Sequence, residues 1–205
     1  MTNLEAKARA AEPPDEDGDL HAPELVNLRR AAPDVRLDVR YATTDNVMGV
    51  PLYEAARVFL QRPAAEALEA ANRSLAADDL GLFVWDGYRP WYVTKWMREA
   101  APERFYPYLA DPADGSRHNR GCAVDLTLCE RASGRPLPMP SAYDDFSERA
   151  HADWPGASPE AKRNRARLRR AMEAHGFEAN AYEWWHFDFE DWRAYPIMNT
   201  PVQAL

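Results

Sequence analysis

Hydrophobic and polar positions repeat with two different periods along the chain, and each period predicts a different element. Residues 35–41 (VRLDVRY) place every second side chain on one apolar face, which predicts a half-buried strand. Apolar residues after Pro63 recur at helical spacing up to Gly81, which predicts an amphipathic helix. The run from Gly81 to Trp85 (GLFVW) is continuously apolar and precedes a D-G turn, so we predict a short buried strand there.

Two further helices are marked by a proline at their start. Pro90 opens a helix that we expect to run to about Ala101. The last helix has Ser158 as its N-cap, followed by a proline, and ends at Gly176. Strands and helices therefore follow one another without strict alternation, which predicts a single α+β domain and not a doubly wound sheet.

The composition of the N-terminal segment differs from that of the rest of the chain. Residues 12–24 (EPPDEDGDLHAPE) contain six acidic residues, three prolines and no lysine or arginine. Such a segment buries too little apolar surface to offset its ordering entropy. We therefore predict that residues 1–24 form an acidic, proline-rich tail, mobile or wrapped as an arm, and that residues 25–205 form the folded domain.

Charge and hydropathy exclude several classes of partner. The formal net charge of −8 repels a phosphate backbone, so we expect no nucleic-acid partner. We interpret the basic residues of the last helix as a solvated face. No run approaches the roughly 18 apolar residues of a membrane span, and the N-terminus lacks the apolar stretch of a signal peptide. We therefore expect no membrane partner and a cytoplasmic location.

A histidine and an aspartate stand out in the segment 116–128 (SRHNRGCAVDLTL). His118 lies in a predicted turn, and Asp125 lies in an otherwise apolar strand. Burying an unpaired carboxylate costs several kcal/mol, so Asp125 must meet a cation, a set of donors or a metal. On this segment alone, a salt bridge with an arginine explains Asp125 as well as a metal does.

A second polar pair lies in the aromatic segment 181–189 (AYEWWHFDF), which contains Glu183 and His186. Residues three apart point to opposite faces of a strand, so the two share a site only if Glu183 lies on the entry loop or a bulge intervenes. Two histidines and one carboxylate are a three-ligand set for catalytic zinc. Glu183 could then act as a base, and Arg89, leaving the D-G turn, could stabilise an oxyanion.

The segments SRHNRGCAVD and EWWH resemble the S-x-H-x-x-G-x-A-x-D and E-x-W-H motifs of the zinc D-alanyl-D-alanine dipeptidases of the VanX type. These enzymes belong to a larger group with D-alanyl-D-alanine carboxypeptidases and the hedgehog signalling domain. Further matches are RYATTDN from Arg40, WDGYRP from Trp85, YDDFSER from Tyr143 and RLRRAMEAHGF from Arg167. The resemblance implies the α+β fold of that group, with a central, mostly antiparallel sheet flanked by helices.

The resemblance also implies a role for individual residues. It implies one zinc ion (Zn2+) per chain, with His118, Asp125 and His186 as ligands. It implies Glu183 as the catalytic base and Arg89 as the transition-state stabiliser. The substrate-binding residues that it implies are Ser116, Tyr41 and Asp144, the last of which meets the free amino group of the dipeptide. By spacing, Asp145 could fill that last role equally well.

The predicted function is therefore zinc-dependent hydrolysis of free D-alanyl-D-alanine to two D-alanines, with this dipeptide as a small-molecule partner. One alternative is a zinc D,D-carboxypeptidase or endopeptidase acting on cell-wall peptides, which would need an open groove and export. Another alternative is a non-catalytic, zinc-stabilised binding module. A purely structural zinc site would need neither Glu183 nor Arg89, which argues against the binding module.

Overall fold

The fold is built from five α-helices and seven strands, with short 3-10 turns between them, within residues 3–205, which the computed structural model describes. In chain order they are α1 (Asn3–Ala10), β1 (Leu25–Asn27), α2 (Leu28–Ala31), β2 (Arg36–Leu37), β3 (Phe59–Gln61), α3 (Arg62–Ser74), β4 (Leu80–Asp86), α4 (Trp91–Ala100), β5 (Ala123–Glu130), α5 (Pro159–Glu173), β6 (Phe177–Ala179) and β7 (His186–Phe189). The prediction of an α+β domain is confirmed.

The central sheet has five strands in the order β2-β4-β5-β7-β6. The pair β2–β4 is parallel, whereas the other three pairs are antiparallel, as expected for a mostly antiparallel sheet. A separate antiparallel ribbon joins β1 to β3. Side chains on β4 and β5 are buried almost without interruption, because helices and loops cover both faces of the sheet. This buried pair of long strands is the rigid frame of the site described below.

Helices α3 and α5 supply much of the core. Leu68 of α3 and both Leu168 and Met172 of α5 are fully buried. Asn72 of α3 accepts a hydrogen bond from the backbone N–H of Leu82 at 2.9 Å, which ties this helix to β4. Burial of each large aliphatic side chain contributes about 1.5–3 kcal/mol to folding.

Two of the predicted elements are shorter than expected. The strand predicted over 35–41 ends at Leu37, because the chain turns into a 3-10 helix over Arg40–Ala42. Within this turn Arg40 folds back on Asp38 at 2.6 Å, which favours a turn over an extended strand. The helix after Pro63 ends at Ser74, and a further 3-10 turn leads to β4. In contrast, α5 begins as predicted, with the Ser158 side chain accepting a hydrogen bond from the Ala161 N–H at 3.1 Å.

The acidic N-terminal segment lies along the domain from residue 3 onwards; residues 1 and 2 are outside the described range. Helix α1 packs against α4, where Ala8 is fully buried and the Arg9 guanidinium lies 4.4 Å from the centre of the Tyr92 ring. Further along, Glu16 forms a salt bridge with Arg120 at 2.6 Å and accepts a hydrogen bond from the Ile197 N–H at 2.6 Å. These contacts join parts of the segment to the folded domain.

Candidate active site

Three neighbouring strands bring a row of polar side chains together across the sheet. Asp125 on β5 lies opposite Asp86 on β4 and opposite His186 on β7. An irregularity in the β4–β5 register between Val84 and Asp86 produces this alignment. Two aspartates directly opposite each other repel, so the row requires cations or donors around it.

His118 approaches this row from the 3-10 turn Arg117–Arg120 that precedes β5. Ser116 caps the turn, because its hydroxyl accepts a hydrogen bond from the His118 N–H at 3.2 Å. The Nδ1 atom of His118 lies 2.7 Å from the carbonyl oxygen of Gly87. Because a carbonyl oxygen can only accept a hydrogen bond, Nδ1 carries the proton and donates the hydrogen bond to Gly87. That bond leaves the Nε2 lone pair directed at the row.

The distances between the three candidate ligand atoms fit a single metal ion. His118 Nε2 and His186 Nδ1 are 3.1 Å apart, and Asp125 Oδ1 lies 3.4 Å from the first and 3.0 Å from the second. Ligands about 2.0–2.1 Å from a tetrahedral ion are about 3.3 Å apart, close to these values. Burial alone would raise the pKa of Asp125, but His118 and His186 hold it well below its usual range. The three side chains, all buried, could therefore hold a metal ion.

Tyr143 fixes the second oxygen of Asp125. Its hydroxyl donates to Asp125 Oδ2 at 2.9 Å, and its ring stacks on Trp85 with centroids 4.6 Å apart. Tyr143 lies in the YDDFSER segment, but no role was predicted for it from the sequence. Its only signal was its position next to Asp144, because nothing in the chain spacing predicts contact with Asp125, 18 residues earlier.

Arg89 is held by the buried carboxylate of Asp86. The Nε and Nη2 atoms of Arg89 donate to Asp86 Oδ2 at 3.1 and 2.9 Å, and the Tyr53 hydroxyl donates to Asp86 Oδ1 at 2.8 Å. The guanidinium lies 5.0 Å from the centre of the Tyr41 ring and 3.8 Å from Asp125. Burial raises the pKa of Asp86 while Arg89 opposes the shift. Neither Asp86 nor Tyr53 was predicted from the sequence as a partner of Arg89.

Glu183 lies on the loop just before β7, which resolves the question raised by its spacing from His186. The backbone closes a turn here, because the His186 N–H donates to the Glu183 carbonyl oxygen at 3.1 Å. One carboxylate oxygen of Glu183 lies 3.9 Å from His186 Nδ1. Burial raises the pKa of Glu183 to about 8, with His186 opposing the shift and Asp125 adding to it.

Asp144 adopts a left-handed backbone conformation with φ of 58°, which is uncommon outside glycine. Its two carboxylate oxygens accept from the Tyr41 hydroxyl at 3.3 and 3.2 Å. Burial, followed by the charge of Asp125, raises the pKa of Asp144 to about 7. The next residue, Asp145, instead accepts from the Ser147 hydroxyl at 2.7 Å and lies 3.6 Å from Arg149.

All eight residues singled out from the sequence line one cavity of about 190 Å³: Tyr41, Arg89, Ser116, His118, Asp125, Asp144, Glu183 and His186. Asp145 is not among the described residues that line it. At its rim, Tyr108 stacks on Phe146 with ring centres 5.2 Å apart. Because pockets for drug-sized ligands run from about 300 to 1,000 Å³, this cavity suits a small ligand.

The chain is similar over most of its length to proteins of known name. The family model for peptidase M15, described as D-ala-D-ala dipeptidase, matches residues 21–202. The D-alanyl-D-alanine dipeptidase of Escherichia coli K12 is 36% identical over 175 residues, covering 85% of this chain and 89% of the relative. The enzymes of the same name from Enterococcus faecium and Enterococcus faecalis are 39% and 37% identical, each covering 77% of this chain and 87% of the relative.

The α-helices within residues 3–205 have between 4 and 15 residues each. None of them is both long enough and apolar enough to cross a membrane. The longest, α5, has 15 residues and many charged side chains.

Proposed function

The chain belongs to the peptidase M15 family of D-ala-D-ala dipeptidases and is a peptidase, and from this premise we propose that it hydrolyses free D-alanyl-D-alanine to two D-alanines with one zinc ion per chain. The observation that carries the proposal is the arrangement of two histidines, Asp125 and a nearby glutamate in one small cavity. A non-catalytic binding module would have no use for Glu183 and Arg89 in that cavity.

His118, Asp125 and His186 would hold the zinc ion. Three protein ligands are typical of catalytic zinc sites, which keep another position open, whereas structural sites are usually closed by four. When bound, zinc supplies Lewis-acid chemistry: it lowers the pKa of water and polarises the carbonyl of the scissile peptide. Tyr143 would keep Asp125 in place, because it holds the carboxylate oxygen that faces away from the two histidines.

Glu183 is the proposed general base. It lies beside the ligand cluster, takes the proton from the attacking water and passes it to the departing amino group. Its pKa of about 8 in the protein alone is close to the range in which a carboxylate can both accept and return a proton. A nearby cation stabilises the carboxylate form and would therefore lower the pKa of Glu183 from about 8 towards neutrality.

Arg89 is the proposed stabiliser of the oxyanion. Its guanidinium carries five N–H donors, and Asp86 engages two of its nitrogens on one side. The remaining donors can face the substrate carbonyl, while two hydrogen bonds to the single oxygen Oδ2 of buried Asp86 keep the group from turning away. Asp86 would thus act as the positioning residue for Arg89.

Asp144 and Ser116 are the proposed substrate-binding residues, with Tyr41 supporting Asp144. A carboxylate at the end of a small cavity pairs with the ammonium group of a free dipeptide. An acylated or longer substrate would leave that carboxylate buried without a cation, which costs about 1–3 kcal/mol or more. The cavity volume of about 190 Å³ also favours a dipeptide over a longer chain.

The test is D-alanine release from D-alanyl-D-alanine by the wild type and by Glu183→Ala, each with and without a chelator. We expect release by the wild type, loss of release with the chelator, recovery on adding Zn2+, and no release by the variant. N-acetyl-D-alanyl-D-alanine should remain almost intact, hydrolysed at no more than a low residual rate. Cleavage of blocked or longer peptides without cleavage of the free dipeptide would refute the substrate assignment, and release unaffected by the chelator would refute the metal.

A further inference from the structure

Asp188 lies directly behind one of the proposed metal ligands. Its Oδ1 atom is 2.8 Å from Nε2 of His186, the ring nitrogen that faces away from the cluster. The two residues are two apart on β7, so the pleat of the strand places their side chains on the same face. Because an imidazole has two nitrogens, a hydrogen bond from Nε2–H to Asp188 leaves the Nδ1 lone pair facing Asp125 and His118.

Asp188 is itself held in place by Arg117. The Nε atom of Arg117 lies 3.5 Å from the other carboxylate oxygen, Oδ2, and its guanidinium lies 4.5 Å from the centre of the Trp192 ring. The side chain of Asp188 is only 14% exposed, so most of its surface is packed against the protein. Each carboxylate oxygen thus has a separate partner, and one partner is a candidate ligand of the metal.

We propose that Asp188, held by Arg117, is a positioning residue that fixes the His186 ring with Nδ1 towards the metal and thereby raises the zinc affinity of the site. This inference rests on the metal centre of the proposed function. A carboxylate that accepts the second N–H of a metal-bound histidine sets its tautomer and increases its basicity, and loss of such a partner costs about 10- to 100-fold in metal affinity. Neither motif that carries the family resemblance contains Asp188.

The experiment measures the dissociation constant for Zn2+ by competition with a chromogenic chelator, using the full-length protein. The variants are Asp188→Ala, Asp188→Asn and Arg117→Ala. Glu190→Ala is the matched control, because Glu190 is an exposed acidic residue just after β7 and its loss changes the net charge equally. Thermal unfolding of each metal-free protein reports separately on folding.

We expect Asp188→Ala to raise the dissociation constant by about 10- to 100-fold. Asp188→Asn should restore part of the affinity, because its carboxamide oxygen still accepts the hydrogen bond from Nε2–H. Arg117→Ala should shift the constant in the same direction by less, and Glu190→Ala should leave it within about twofold, since only the former contacts Asp188.

Two contrary outcomes are distinguishable. If the wild type binds no zinc, the metal centre of the proposed function fails and the role of Asp188 fails with it. If the wild type binds zinc and both Asp188 variants bind it as tightly as Glu190→Ala does, the inference alone is overturned. If Asp188→Ala does not fold, Asp188→Asn decides, because it keeps the size of the side chain and removes its charge: an unchanged affinity for Asp188→Asn then overturns the inference.

Discussion

Replacing Asp144 by asparagine tests how the site recognises a free amino group. In the proposed complex the carboxylate pairs with the substrate ammonium inside the cavity, where its only hydrogen-bond donor among the described side chains is the weakly held Tyr41 hydroxyl. Breaking a buried ion pair by removing one partner costs about 3–5 kcal/mol. At about 1.36 kcal/mol per factor of ten, kcat/KM for D-alanyl-D-alanine should fall by about 100-fold to several thousand-fold.

The assay is D-alanine release followed through D-amino-acid oxidase, with Asp145→Asn as the matched control. Asp145 is the adjacent aspartate but bonds to Ser147 and lies near Arg149. We therefore expect Asp145→Asn to change kcat/KM by no more than about threefold, consistent with the small effect of surface ion pairs. For N-acetyl-D-alanyl-D-alanine, which has no ammonium, Asp144→Asn should not lower the residual rate.

The pH dependence provides a second readout of the same residue. The pKa of Asp144 is raised to about 7, so below pH 7 its carboxyl is mostly neutral and cannot pair with an ammonium. This group alone should make kcat/KM of the wild type fall about tenfold per pH unit below 7, and Asp144→Asn should lack that component. An equal loss on the free and acylated dipeptides, or an unchanged pH profile, would refute amine recognition by Asp144.

Three other predictions follow from named contacts. Glu183→Gln should lower kcat by about 100- to 10,000-fold with zinc binding retained, and should remove the loss of activity that the wild type shows below the pKa of Glu183, which a bound cation lowers from its metal-free value of about 8; an intact rate would exclude Glu183 as the base. Tyr143→Phe should weaken zinc binding by about 10- to 100-fold in chelator competition, since Asp125 loses the 2.9 Å bond; unchanged affinity would contradict this. Gly87→Ala should destabilise the protein by about 1–3 kcal/mol in urea unfolding, because a Cβ there would lie 2.7 Å from Val58 Cγ1 and 2.8 Å from the Phe59 carbonyl oxygen; a loss under about 0.5 kcal/mol would disprove this packing.

Local signals in the sequence were sufficient for several elements of the fold. The serine and proline at the start of α5 predict its N-terminus, because capping depends on residues within one turn of the helix. The apolar run before Asp86 predicts the buried strand β4 for a similar reason. The two motifs also contain the three candidate ligands and Glu183, since a catalytic zinc site with a general base requires those residue types.

Other features depended on contacts between distant parts of the chain. Tyr41 meets Asp144 across 103 positions, and no local pattern showed that its predicted strand would end at Leu37. The acidic arm finds partners such as Arg120 and the Ile197 backbone only once the domain has formed.

By itself, the sequence determined the α+β class, the family and the set of candidate site residues, because these follow from local periodicity and from motifs. Only the tertiary structure decided which side chains form hydrogen bonds with each other: Asp86 with Arg89, Tyr143 with Asp125, and Asp188 with His186. It also distinguished Asp144 in the cavity from Asp145 outside it. The physical reason is that strand register and loop backbone conformation, which set the direction of each side chain, arise from packing of the whole domain.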